Sequence, residues 1–273
     1  LYVAAPPSIW KLTDTDGGTG FGEATLLNGY TDENVDHAWV LAKQLADELA
    51  GSSHRAFRTR VDTVARKAPF TATAFGTALD VLGRSQWLAL SEPVRVPLLA
   101  LLNADDEATT ADEFEKLLDQ GYRTVKVKIG LAGSDDLTRI RRIQAVVAGR
   151  ARIRIDANQA FSGPQAAEFL AALDPQDIEL FEQPCRADDW DAHAMAVRAA
   201  RVPMMLDESI YALSDIERAA AEGLATYVKV KLVKFAGGLK EKPVLCHCEI
   251  SSRPCEDESV VAAERGDHYR HRH

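Results

Sequence analysis

Five short apolar runs in succession end in side chains able to do chemistry: Val125-Lys126-Val127-Lys128, Ile155-Asp156-Ala157-Asn158, Phe181-Glu182-Gln183-Pro184, Leu206-Asp207-Glu208-Ser209 and Lys229-Val230-Lys231. Asp156, Glu182 and Asp207 occur once per run. If the runs are neighbouring parallel strands, the three carboxylates share one space, where they repel one another unless a cation neutralises them. A hard divalent ion suits an all-oxygen set, and Mg2+ is the expected one, with Mn2+ as its substitute. No histidine or cysteine stands at these positions, which argues against zinc.

The lysines flank that acidic centre. Residues two apart in a strand point to one side, so Lys126 and Lys128 face inward together. Two ammonium groups so close are expected to lower each other's pKa, making one of them a base near neutral pH. Lys231 approaches from the last run, so a carbon acid held between Lys128 and Lys231 could lose a proton to one and regain it from the other. A lone charged residue at a strand end is usually a solvated surface group; the ordered set of acids between lysines is not explained that way.

Such a set needs a scaffold that converges strand ends. From about Pro97 short apolar runs alternate with amphipathic helices: 99–102, 125–129, 153–155, 178–181, 204–206 and 227–232. Thr110 with Glu113, Ser162 with Gln165 and Ser214 with Glu217 have capping-box spacing, and Ser134 is a simple N-cap. Strands alternating with helices imply a parallel sheet. Units repeating about every 25 residues, with no phosphate-binding glycine motif after the first strand, favour a (β/α) barrel over a doubly wound sheet. The first part differs. Two β-like runs surround Asp14-Thr15-Asp16-Gly17-Gly18, a hairpin turn rather than a calcium loop, because Thr25 stands where a bidentate glutamate belongs. Helical patterns follow, one capped by Thr31 and carrying Val35, Trp39, Leu45 and Leu49, another from about Phe70 to Leu90.

The expected class is therefore α/β: a small α+β capping domain over residues 1–93, an incomplete TIM-type (β/α) barrel of about six strands over 94–240, and an irregular tail over 241–273. The tail holds three of the four cysteines. A zinc site from Cys246, His247, Cys248 and Cys255 is its sharpest alternative reading, but the spacing fits no common finger. His37, His54 and His193 occur singly and read as surface residues.

At 273 residues and 46% hydrophobic content the chain can bury a sizeable core, and its net charge of −9 argues against nucleic acid or an anionic membrane as partner. Few cysteines and the lack of a signal peptide or long apolar run point to a cytoplasmic protein. No nucleotide-binding motif stands out, so no organic cofactor is expected.

Lys126-Val127-Lys128, Asp156-Ala157-Asn158, Glu182-Gln183-Pro184, Asp207-Glu208-Ser209 and Lys231 followed by Gly237-Gly238 resemble the enolase superfamily, and within it the muconate-lactonizing enzyme subgroup. Gly20-Phe21-Gly22-Glu23-Ala24 is similar to the end of that family's capping-domain hairpin. The resemblance covers roughly residues 8 to 240. It implies Mg2+ held by Asp156, Glu182 and Asp207, a base at Lys128, an opposing acid or base at Lys231, and Lys126 near a substrate carboxylate. Asn158 and Glu208 would orient these groups. The implied reaction is proton abstraction beside the carboxylate of a small substrate, with the charge held by the metal. Facing lysines favour a racemase or epimerase of an amino-acid derivative or dipeptide. A muconate-type cycloisomerase and an o-succinylbenzoate synthase use the same pair. A Schiff-base aldolase on Lys231 and a metal-binding remnant without activity are the readings from other classes. The chain starts at Leu1 and the matching pattern stops near Lys240, so truncation at both ends is expected. The strand edge this leaves makes pairing with another chain, including a homo-oligomer, an expected state.

Overall fold

In the computed structural model, residues 8–26, 33–85, 95–104, 106–130 and 135–235 are described, with the backbone of 260–261 and 270–271. The chain divides into two compact units, one of Leu1–Val94 with Lys231–Pro243, the other of Arg95–Val230 with Val244–His273.

The first unit opens with an antiparallel hairpin, β1 (Ser8–Thr13) and β2 (Thr19–Ala24). Asp14 Oδ1 accepts from the backbone N–H of Asp16 at 3.0 Å and of Gly18 at 2.6 Å, and Gly17 has φ +82, so the acidic run is turn chemistry. Helices α1 (Val35–Leu49), α2 (His54–Ala65) and α3 (Pro69–Leu82) follow. A Cβ on Gly22 would lie 1.8 Å from the Ala74 carbonyl oxygen, so glycine is what lets β2 lie against α3. Glu33 caps α3, accepting from the backbone N–H of Phe70 at 2.7 Å and of Thr71 at 2.9 Å.

The N-cap of α1 is Asn34, whose side chain accepts from the His37 N–H at 3.0 Å; Thr31 lies outside the described residues. The buried stripe of α1 is Ala38, Ala42, Leu45 and Leu49, whereas Trp39 is half exposed, because the positions four and three apart select the smaller residues. Gly83 ends α3 well short of Leu90.

The second unit carries six parallel strands: β3 (Ala100–Leu101), β4 (Thr124–Lys128), β5 (Arg152–Asp156), β6 (Ile178–Glu182), β7 (Met204–Leu206) and β8 (Tyr227–Val228). They pair in strict sequence order from β3 to β8. A doubly wound sheet would reverse order at its middle, so the (β/α) barrel reading holds and the described strands form an incomplete barrel. Helices α4 (Glu107–Asp119), α5 (Asp136–Val147), α6 (Gly163–Ala172), α7 (Trp190–Ala199) and α8 (Leu213–Ala221) connect them. Val125, Val127, Ile153 and Ile155 enter one hydrophobic cluster with Phe114, Ile140, Ile143 and Leu170, while the alternate positions Lys126, Lys128, Arg154 and Asp156 carry charge. That alternation places chemistry on one side of the strands and packing on the other.

Ser162 and Gln165 form the expected capping box of α6. The other caps shift. Asp106 caps α4, so Thr110 lies inside the helix; α8 begins at Leu213, with Asp215 accepting from the Ala212 N–H at 2.8 Å in place of the Ser214–Glu217 pair; Asp135 caps α5, and Ser134 is outside the described residues. Within the tail, Val260–Val261 pairs antiparallel with Arg270–His271 as β9 and β10. Cys246, His247, Cys248, Cys255 and Gly237-Gly238 fall outside the described residues. No helix among the described residues is long and apolar enough to cross a membrane.

Candidate active site

Parallel register sets the site. Lys128 of β4 is level with Asp156 of β5, and Asp156 with Glu182 of β6. The backbone then ties each strand end to the next: Ile129 N–H donates to Asp156 O at 3.0 Å, Ala157 N–H to Glu182 O at 3.1 Å and Gln183 N–H to Met205 O at 2.9 Å. Asp156, Glu182 and Asp207 are each 1% exposed.

Two ammonium groups join the three acids. Lys126 Nζ lies 2.8 Å from Asp156 Oδ2 and 2.9 Å from Glu182 Oε2. Lys229 Nζ lies 3.2 Å from Glu182 Oε1 and 3.5 Å from Asp207 Oδ2. The structure thus brings the predicted acids into one ionic chain bridged by the two lysines. Burial works against the charge on Lys126, but Glu182 and Asp156 outweigh both that and the neighbouring Lys229, so its pKa lies above the ordinary lysine value. This corrects the expected lowering of Lys126 by Lys128: the nearest charges to Lys126 are carboxylates, which stabilise its ammonium form. Burial raises the pKa of Glu182 against the pull of both lysines, with Asp156 and Asp207 adding to the rise.

Lys128 is half-buried at the end of β4, and its Nζ donates to Asn158 Oδ1 at 2.9 Å. Asn158 is a hub: its N–H donates to Asp156 Oδ1 at 2.9 Å and its Nδ2 to Glu208 Oε1 at 3.0 Å. It adopts φ +41, a conformation asparagine accepts more readily than most residues. Glu208 is 3% exposed, and its Oε2 has no hydrogen-bond partner. Burial, then the Asp207 charge, pushes the Glu208 pKa up. Lys231 is buried and begins the segment Lys231–Pro243 that is counted with the first unit.

The donor set has the chemistry of a hard-cation site. All three acids offer oxygen, they outnumber the two bridging ammonium groups, and a fourth buried carboxyl beside them has an orphaned oxygen. In their present positions, no three acidic, histidine or cysteine side chains among the described residues are grouped to hold an ion. An ion would have to take oxygens now turned towards the lysines.

A second polar cluster abuts the first and was missed from sequence. Gln183 Oε1 accepts from the Asp207 N–H at 2.7 Å and the Ser209 N–H at 3.3 Å, while its Nε2 donates to Ser209 Oγ at 2.7 Å and Cys185 O at 3.1 Å. His193 Nε2 sits 3.2 Å from Ser209 Oγ and 3.1 Å from Arg186 O. His193 is 0% exposed, a correction to its reading as a surface residue, and burial holds its pKa below the ordinary value. Gln183 keeps φ +39, unusual for its type, and its side chain locks the turn. Lys229 was also missed; its spacing two residues before Lys231 was the available signal.

A sequence model described as "Enolase C-terminal domain-like" matches residues 109–252. The chain is 26% identical to an N-succinyl-L-Arg/Lys racemase of Bacillus cereus, covering 98% of this chain and 77% of that protein. It is 28% identical to an L-Ala-D/L-amino acid epimerase of Populus trichocarpa, of which it spans 58%. Among solved structures, a dipeptide epimerase of Cytophaga hutchinsonii complexed with Mg and D-Ala-L-Val superposes with a TM-score of 0.74 at 26% identity, over 84% of this chain and 65% of that one. Muconate lactonizing enzyme from Pseudomonas putida gives 0.73 at 26% identity, over 84% and 67%.

Proposed function

Because the chain belongs to the enolase C-terminal domain-like family, we propose that it abstracts the proton next to the carboxylate of a small amino-acid derivative or dipeptide, as a magnesium-dependent racemase or epimerase. The observation that carries this reading is the buried run of Asp156, Glu182 and Asp207 at the ends of three consecutive strands, beside a half-buried lysine. Those three acids would hold the ion, with Mn2+ as substitute. When bound, it supplies positive charge for the negative charge that develops on the substrate carboxylate.

The chain's own groups do the rest. Lys128 Nζ takes the α-proton, breaking the C–H bond and sending its electron pair towards the carboxylate. Asn158, which accepts from that Nζ at 2.9 Å, aims it. Lys126 is kept charged by Asp156 and Glu182, so it serves as fixed positive charge rather than as base. Lys231 is assigned the return of a proton to the opposite face, from its place in sequence order. Glu208 steadies Asn158. The racemase and epimerase names of the relatives support 1,1-proton transfer, and muconate cycloisomerisation is the competing reading.

The test is α-proton exchange in deuterated water with MgCl2, offering N-succinyl amino acids, dipeptides and cis,cis-muconate in parallel. Deuterium should enter the α-position of a substrate of the first two kinds with inversion, stop with EDTA, and fall about 10²-fold or more in Lys128→Ala. Turnover of muconate alone would replace this reading by the cycloisomerase one. Magnesium binding with no exchange in any substrate would leave a remnant that holds metal without reaction.

A further inference from the structure

Lys126 and Lys229 both bridge pairs of acids, but not equally. Lys126 makes contacts of 2.8 and 2.9 Å, the length of strong charge-assisted hydrogen bonds, whereas Lys229 stands at 3.2 and 3.5 Å from its two oxygens. Lys229 is nonetheless 3% exposed, and its backbone N–H donates to Leu206 O at 2.8 Å, which continues the pairing onto β7 and fixes where its side chain starts. Glu182 is divided between the two lysines, Oε2 to Lys126 and Oε1 to Lys229. The Glu182 and Asp207 oxygens that face Lys229 are therefore held over the longer distances.

We propose that Lys229 is an internal counter-ion for the Glu182–Asp207 half of the site, released when a divalent cation takes those carboxylate oxygens. This rests on the three acids being the magnesium site. An ammonium group and a divalent ion repel, and both cannot lie between the same oxygens. The four-carbon lysine arm can withdraw its charge, which a shorter or planar side chain could not do as freely. Two consequences follow. Without metal, the acids stay compensated and the strand ends stay together. With metal, binding must displace an ammonium group, so affinity for Mg2+ is lower than three buried carboxylates alone would give.

The experiment titrates Mg2+ into the full chain and into Lys229→Met by calorimetry, with thermal melting in MgCl2 and in EDTA. Lys229→Met should bind Mg2+ at least about tenfold more tightly, the effect of removing one like charge beside the ion. It should also gain more in melting temperature from MgCl2 than the wild type does, while Lys229→Arg, which keeps the charge, shows no such gain. If the wild type binds Mg2+ and Lys229→Met binds it equally or more weakly, Lys229 positions the ligands and the inference is wrong, with the magnesium reading intact. If neither binds Mg2+ and Asp207→Asn melts alike in MgCl2 and EDTA, the magnesium reading falls and takes the inference with it. Should Lys229→Met not fold, amine labelling of the wild type read by peptide mass decides: labelling of Lys229 should rise with MgCl2, and no change overturns the proposal.

Discussion

Two buried polar clusters lie side by side at the ends of β6 and β7, and they solve burial in opposite ways. Lys126, Lys229, Asp156, Glu182 and Asp207 form a chain of full charges in which the acids outnumber the bases. Gln183, Ser209 and His193 form a neutral cluster built from side-chain amide, hydroxyl and imidazole groups. The clusters meet at Asp207, whose carboxylate faces Lys229 while its backbone N–H is held by Gln183. Excess charge suits the first to the proposed cation; the hydrogen bonds converging on Gln183 and Ser209 make the second a brace, in which His193 Nδ1 is left without a hydrogen-bond partner. The proposed metal site would draw on both, because groups around the ligands orient them and Gln183 holds the backbone that carries Asp207.

That contrast can be broken from either side. The largest effect is expected for Lys126→Met, which strips Asp156 and Glu182 of a shared ammonium and should cost about 3–5 kcal/mol of folding free energy, read by denaturant melts in EDTA. A loss below about 1 kcal/mol would mean that the acids shed their charge by binding protons, and the ionic picture would fail.

A smaller loss is expected at the brace. Gln183→Leu leaves the Asp207 and Ser209 N–H groups without their acceptor and should cost about 1–3 kcal/mol. It should also weaken Mg2+ binding, although the hydrogen bonds of Gln183 go to the Asp207 backbone and not to a proposed ligand side chain. An unchanged Mg2+ affinity would show that the Asp207 carboxylate does not depend on its backbone hydrogen bond.

The smallest effect concerns pH. The His193 pKa lies below 6.5 because burial disfavours the imidazolium, so the unfolded chain binds the proton first. Its contribution to stability is therefore complete above about pH 6.5 and is lost as pH falls from there towards the lowered folded value. Glu182 and Glu208, whose pKa values burial raises, act with the opposite sign, so His193→Gln should flatten the loss of stability as pH falls below about 6.5. A profile identical to wild type would place the titration elsewhere.

The acid set was legible because each member directly follows an apolar run, and strand order alone puts consecutive strand ends together. The partners of those acids were not. Spacing makes Lys126 one of a pair of mutually depressed amines, since it shows that Lys126 faces the same way as Lys128 but not that Asp156 and Glu182 reach it first. The family pattern points to Lys231 and gives Lys229 no role; β8 is regular for only Tyr227–Val228, and beyond it period two no longer fixes direction. His193 looked like an isolated surface histidine, for the network that buries it joins residues from β6 to α7 across loops. The caps at Thr110 and Ser214 fail for a related reason: the preceding loop sets where each helix starts, so Asp106 caps α4 and α8 starts after Ala212, whose N–H is held by Asp215.

By itself, the sequence determined the class of fold, the order of the strands, the face on which charge appears and the oxygen-only character of the acidic centre. All of these follow from local period and chain order. Tertiary structure alone decided which lysine compensates which acid, and that Gln183 holds the backbone of Asp207. Ion pairs and hydrogen bonds act over about 3 Å, a distance that strand register, helix packing and loop conformation set jointly, and that no spacing along the chain encodes.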